Sequence, residues 1–193
     1  MPHAYYVRNL PHWQPPEVDI FITWRLHGSL PSRMRPPASD DPSGKVFRAY
    51  DSVLDQARSG PLWLRNPLVA GCVAVALEAA QDNHLCVLYA YVLMANHVHV
   101  LLRPQAPIAE ITRRIKGPTA RAANRFLGRA SEPFWQDESF DHWVRSAGEW
   151  HKIRSYIERN PVTAGLVQRP QDWPWSTASR PLPPVQKSSH WHS

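Results

Sequence analysis

Cysteine is nearly absent from this 193-residue chain. The two cysteines, Cys72 and Cys86, sit in apolar stretches with no CxxC or CxxH neighbour. That excludes a disulfide framework and a zinc knuckle, and makes both small buried hydrophobes suited to a reducing compartment. Long hydrophobic runs are missing too: no stretch approaches the roughly 20 apolar residues of a membrane span. The opening MPHAYYVRNLPHWQPP lacks the apolar core and small-residue cleavage site of a secretory signal. A soluble, cytoplasmic protein without a membrane partner is expected. The eight glycines do not form the Gly-rich turns of a nucleotide-binding fold, and no internal repeat is visible. Lysine is scarce, since arginine supplies 18 of the 22 basic residues.

What is present suits one well-filled core: 43% of residues are hydrophobic, in a chain long enough for one domain and short for two. Val18 to Leu30 alternates as a first strand, and Pro31 to Gly44 reads as a proline and serine loop. Val46 to Ser59 and Pro67 to Asp82 read as helices, the second started by Asn66 before Pro67. His84 to Arg103 forms one or two strands, with a break near Ala90 where the alternation changes. Phe134 to Ser146 is extended, and Glu149 to Asn160 is helical. This order predicts an α+β fold, an antiparallel sheet with helices packed on it. Residues 1–167 read as one domain with its core at about 18–167, followed by a proline- and tryptophan-containing tail, 168–193. That tail is expected to drape over the domain or to meet a ligand near Trp173 and Trp175, with its last residues disordered.

The net charge is +6 and the pI about 9.7. Charge concentrates in Ile108 to Arg129, where Arg113, Arg114, Lys116, Arg121, Arg125 and Arg129 face the single acid Glu110. Arg121, Arg125 and Arg129 recur every four residues and would line one helical stripe, backed by Ile108, Ile111, Ile115, Ala122 and Phe126. Gly117 and Pro118 are expected to kink or split this helix. The stripe is either a solvated face or a phosphate-contacting one, and the lack of acidic partners favours phosphate.

The segment YVLMANHVHVLL, Tyr91 to Leu102, carries the most chemistry. On a strand, residues two apart share a face, so His97 and His99 point at one spot while Val98, Val100 and Leu102 cover the other side. Such a pair is either hydrogen-bonded core or half of a metal site, and neither histidine has zinc-finger spacing. A candidate for the other half is SYIERNPVTAGLV. Tyr156 and Asn160 lie four apart on one helix face, and the helix is expected to end near Asn160 because Pro161 follows. Asn160 could offer a hard carbonyl oxygen to a cation or cap a short following turn; from the helix alone Tyr156 reads first as a half-buried aromatic packing the helix to the sheet.

NHVHVLL around His97 and His99, FWQDESFDHWVR from Phe134 and YIERNPVTAGLV from Tyr156 together resemble the single-tyrosine HUH transposases. The likeness is greatest to the branch associated with repetitive extragenic palindromes (REP). It runs in order from the first strand to DWPWS at Asp172 to Ser176. The resemblance implies a ferredoxin-like or RRM-like sheet, with Tyr156 as nucleophile and His97, His99 and Asn160 holding Mg²⁺ or Mn²⁺. It further implies single-stranded DNA with hairpin or REP-like palindromes as partner, cut through a 5′-phosphotyrosine, with the basic helix contacting its backbone. Location with the nucleoid in the cytoplasm would follow. Monomer and homodimer both occur among such proteins, and this branch leans to monomer. Trp135, Trp143 and Trp150 are possible stacking surfaces, and Gln136, Asp141 and His142 match the pattern without a definite role. Two alternatives stay open: a nuclease that activates water, and a domesticated hairpin-binding module without catalysis.

Overall fold

A computed structural model describes residues 18–30, 45–57 and 60–182. The loop expected over 31–44 and the chain end beyond 182 lie outside them. The elements are β1 (Ile20–Leu26), α1 (Lys45–Gln56), α2 (Pro67–Asp82), β2 (Cys86–Leu93), β3 (His97–Pro104), α3 (Ile108–Phe126), β4 (Trp135–Trp143) and α4 (Ala147–Thr163). Short 3-10 turns cover Trp63–Arg65 and Pro170–Asp172. The strands pair antiparallel in the order β2-β3-β1-β4. The β2–β3 hairpin places β3 beside β1, and β4 joins the other flank of β1, which is the ferredoxin-like arrangement. No helix among the described residues is long and apolar enough to cross a membrane.

Alternation divides the core. Ile20, Ile22, Trp24 and Leu26 of β1, with Val98, Val100 and Leu102 of β3, pack against α2 and α3. Phe21, Leu101 and Phe140 face the other way, against Phe47 of α1 and Ile157 of α4. All seven residues of β1 are buried because both faces are covered. Each aliphatic side chain so buried contributes roughly 1.5–3 kcal/mol, so a one-residue slip of β3 would exchange Val98, Val100 and Leu102 for two imidazoles on the apolar face. The register that buries the aliphatics is therefore the register that aims both histidines at α1 and α4.

Local differences from the sequence reading have physical causes. The change of alternation near Ala90 is a bulge between Leu88 and Ala90, while the strands part later, at the turn where Met94 N–H donates to the His97 carbonyl at 2.9 Å. α3 is unbroken at Gly117 and Pro118. Pro118 lies on the exposed side of the helix. Arg129 lies beyond the end of α3, so the helical stripe ends at Arg125, and the buried face takes Ala123 while Phe126 is 48% exposed. α4 continues through Asn160 and Pro161 to Thr163, so Asn160 is not a terminal cap. The helix stops where Gly165 takes φ 70° and Leu166 N–H reaches the Pro161 carbonyl at 2.9 Å. Past α4 the chain returns to the free edge of β2. Leu93 N–H donates to the Trp175 carbonyl at 2.8 Å, Thr177 N–H to the Tyr91 carbonyl at 3.0 Å, and Trp173 Nε1 to the Leu93 carbonyl at 2.9 Å.

Candidate active site

α1 presents Phe47, Tyr50, Asp51 and Leu54 as one buried stripe, and the carboxylate in that stripe is delivered to the sheet face carrying His97 and His99. α4 brings Tyr156 and Asn160 from the side. The structure thus places the same-face pair His97 and His99 beside the same-face pair Tyr156 and Asn160, and adds Asp51. Both imidazoles are fully buried, and Asn160 and Asp51 are 1% exposed. The nitrogens His97 Nε2 and His99 Nε2 stand 3.1 Å apart. Asp51 Oδ2 is 3.3 Å from His99 Nε2, and Asp51 Oδ1 is 3.5 Å from His97 Nε2. Tyr156 Oη–H donates to Asp51 Oδ2, and Asn160 Nδ2 lies 3.4 Å from both Asp51 Oδ2 and His99 Nε2.

Outer contacts fix the rings. Asn96 Nδ2 donates to the Leu54 carbonyl at 3.0 Å, which turns Asn96 Oδ1 toward His97 Nδ1 at 2.7 Å. An amide oxygen only accepts, so the His97 proton is on Nδ1 and its Nε2 carries a lone pair. His99 Nδ1 is 2.7 Å from Thr23 Oγ1, a hydroxyl that can donate or accept. The His97 lone pair, 3.1 Å from His99 Nε2, is met either by a proton on that nitrogen or by a cation between the two. Asp51 Oδ1, Asp55 Oδ1 and Asn160 Oδ1 are buried with no hydrogen-bond partner. Such an excess of acceptors fits a cation better than a proton. Asp51, His97 and His99 offer ligand atoms that all lie within 4.8 Å of one another, a two-histidine, one-carboxylate set suited to a divalent metal.

Electrostatics agree with that set. Complete burial pushes His97 down to about 3, against the pull of Asp51, so its ring is neutral and able to ligate. Burial opposes the Asp51 charge, but the neighbouring imidazoles of His99 and His97, with hydrogen bonds from His99 and the Tyr156 hydroxyl, outweigh it and hold the carboxyl below the usual range. Burial, then the charge of Asp51, pushes Asp55 up to about 7. The same two causes raise the Tyr156 phenol above its ordinary value.

The sequence reading missed Asp51. Its signal is an acid within the apolar stripe Phe47, Tyr50, Leu54, where a solvated carboxylate has no business. Thr23 and Asn96 were equally silent, being ordinary strand and turn residues until the fold sets them beside the imidazoles.

The basic helix lies elsewhere. α3 packs with α2 on the opposite sheet face, because its apolar side faces the aliphatics of β1 and β3. Arg113, Arg114, Arg121 and Arg125 are exposed there; Arg114 pairs with Glu110 at 2.9 Å. Lys116 Nζ donates to the Gln136 carbonyl of β4 at 2.6 Å, and Arg129 pairs with Glu132 at 2.6 Å and stacks over Trp63. Trp135 is core, its Nε1 donating to Thr119 Oγ1 at 3.0 Å; Trp143 and Trp150 are partly buried. His142 shares the site's face of the sheet but engages Glu149 Oε1 of α4 at 2.8 Å.

Compared with known families, residues 64–160 match the family of IS200-like transposases. The chain belongs to the IS200-like transposases. Its fold resembles that of a REP-associated tyrosine transposase solved bound to a REP hairpin, with a TM-score of 0.58, 18% identity, and 87% of this chain and 81% of that chain covered. A crystal structure from Deinococcus radiodurans R1, described as a transposase, gives a TM-score of 0.43 at 16% identity over 74% of this chain and 90% of that one. No curated protein matches the chain. Membership of the IS200-like transposases makes DNA the partner class and DNA cutting and rejoining the enzyme class. The match begins at residue 64, so Asp51 of α1 lies outside it.

Proposed function

We propose that this IS200-like transposase nicks and rejoins single-stranded DNA at hairpin or REP-like palindromes, with Tyr156 as the attacking group. The observation that carries the reading is the buried cluster in which Tyr156 Oη–H donates to Asp51 while two histidine nitrogens face each other at 3.1 Å. His97, His99 and Asp51, joined by the partnerless Asn160 Oδ1, would hold Mg²⁺ or Mn²⁺, and such an ion supplies Lewis-acid polarisation of a phosphate.

The chain's own residues do the rest. Burial and the charge of Asp51 both oppose a free Tyr156 phenolate, so attack is coupled to transfer of the phenolic proton to Asp51, the acceptor already in place. The tyrosine oxygen bonds to phosphorus, the bond from phosphorus to the 3′ oxygen breaks, and the departing 3′ oxygen takes a proton, returned from Asp51 or supplied by water, to end as a hydroxyl. One phosphodiester replaces another, so a 3′-hydroxyl can reverse the step and rejoin the strand.

The cluster is complete within a single copy of the chain, which is compatible with a monomer or with a homodimer. A hairpin stem on Arg113, Arg114, Lys116, Arg121, Arg125 and Arg129 would lie across the sheet from the cluster, with α3 anchored to edge strand β4 through Lys116 and Thr119. A single strand passing that edge reaches the site without crossing the core. Such work places the protein with the nucleoid in the cytoplasm.

The test is end-labelled single-stranded hairpin DNA with Mn²⁺, resolved on a denaturing gel for wild type and Tyr156→Phe. A protein-linked 5′ fragment that vanishes in the variant, with hairpin binding kept, is the expected result. Cleavage persisting in Tyr156→Phe without an adduct would make the enzyme a water-activating nuclease. Binding without cleavage by wild type would make it a hairpin-binding module.

A further inference from the structure

The geometry points to Arg25 as a phosphate-binding residue that grips the DNA backbone beside the scissile linkage, an inference resting on the single-strand cleavage reading above. Arg25 pairs in register with His97, and Thr23, two residues earlier, pairs with His99. Alternation therefore puts Arg25 on the sheet face that carries the histidine cluster. Arg25 is 6% exposed. Nε donates to Tyr50 Oη at 3.0 Å and Nη1 reaches Ser29 Oγ at 3.4 Å. Both acceptors are neutral, and among the described residues no carboxylate comes within ion-pair distance of Arg25.

A buried cation is ordinarily paired with an anion, since desolvating it alone is costly. Among the described residues no such anion pairs with Arg25. A small pocket, with room for about one water molecule, lies beside Arg25, lined by Thr23, Trp24, Tyr50, Leu54, Glu138 and Phe140. Glu138 shares that pocket, yet its Oε2 accepts from Gln136 Nε2 at 2.9 Å and makes no ion pair with Arg25. Tyr50 is the chain neighbour of Asp51, so the same turn of α1 that supplies a carboxylate to the metal set positions Arg25. Among the described residues three of the five guanidinium N–H groups have no partner, enough for the two-pronged contact that suits two oxygens of one phosphate.

The experiment is single-turnover cleavage by the full chain in Mn²⁺, using hairpin substrates in which each phosphate near the cut is replaced singly by a neutral methylphosphonate. Wild type should slow about 10- to 100-fold at one non-scissile phosphate, the scale expected for a charge-assisted hydrogen bond. Arg25→Gln should be slowed to a similar degree on intact DNA and be indifferent to that same replacement, with Arg25→Lys between the two. Should Arg25→Gln stay as sensitive as wild type at every position, Arg25 is only a structural residue and the inference is lost while the function stands. A wild type indifferent at every non-scissile phosphate overturns it whatever the variants do, and so does Arg25→Lys matching wild type throughout if Arg25→Gln does not fold. Failure of wild type to cut any hairpin DNA would instead sink the cleavage reading together with this one.

Discussion

Asn96 is not among the candidate ligands, and yet it decides which nitrogen of His97 can meet a cation. Its side chain is held by the carbonyl of Leu54, so α1 sets the His97 tautomer through one amide. Asn96→Ala is expected to weaken Mn²⁺ binding about 10- to 100-fold, the usual cost of losing such an outer partner, read by calorimetric titration. Asp51 should show a different pattern, since it serves both the metal set and the Tyr156 proton. For Asp51→Asn, adduct formation should stay at least about 100-fold slow even at saturating Mn²⁺, the scale of a lost general base. Single-turnover gels measure it, and full recovery at high Mn²⁺ would leave Asp51 with the metal role alone. His97 and His99 were legible in the sequence because a period of two needs only a strand. Asp51 was not, because its importance comes from a contact to Tyr156 across 105 residues of chain.

At the scale of elements, α4 shows how local rules and packing divide the work. Its start follows sequence chemistry: Ser146 accepts from Glu149 N–H at 3.2 Å as an N-cap. Its end does not, for the helix runs through a proline to Gly165 while Asn160 is drawn toward Asp51 and His99. α2 began at Pro67 with Asn66 as cap, as the sequence signal said, the Asn66 side chain accepting from Leu68 N–H at 3.0 Å. β4 carries a testable charge. Asp141 stands opposite Ile22, and burial, partly offset by His142, pushes it up to about 6. An unfolded aspartate titrates near about 4. Between those values the folded protein keeps a proton that the unfolded chain has lost, so this residue's contribution to stability is present below about pH 4 and fades as pH rises toward 6. Denaturant titrations across that range should show Asp141→Asn with a flatter pH dependence than wild type; parallel curves would contradict the assignment.

The whole molecule is closed at one sheet edge by its own later chain. Residues Trp173 to Thr177 return from α4 to lie along β2, and Ser176 pairs with Val92. Removing residues 173–193 would bare the β2 edge, and an open edge strand invites pairing with another chain. The shortened protein should melt at lower temperature and associate in a concentration-dependent way, seen by calorimetry and light scattering. An unchanged melting temperature and mass would mean that the strap adds nothing to the fold. The sequence reading grouped this segment with a tail because nothing in DWPWS marks a strand, and its partner lies some 80 residues earlier.

Taken by itself, the sequence determined the periodicities: which stretches form helices and strands, which face of β3 is aliphatic, and that His97 and His99 share a face as Tyr156 and Asn160 do. Those follow from backbone geometry within a few residues and from burial of apolar side chains. The tertiary structure alone decided which faces meet. It brought Asp51 and Arg25 to the histidines, put the basic helix on the far side of the sheet, and turned the tail into a cover for β2. These outcomes depend on contacts between residues far apart in the chain, whose side chains carry no local mark of the partner they will find.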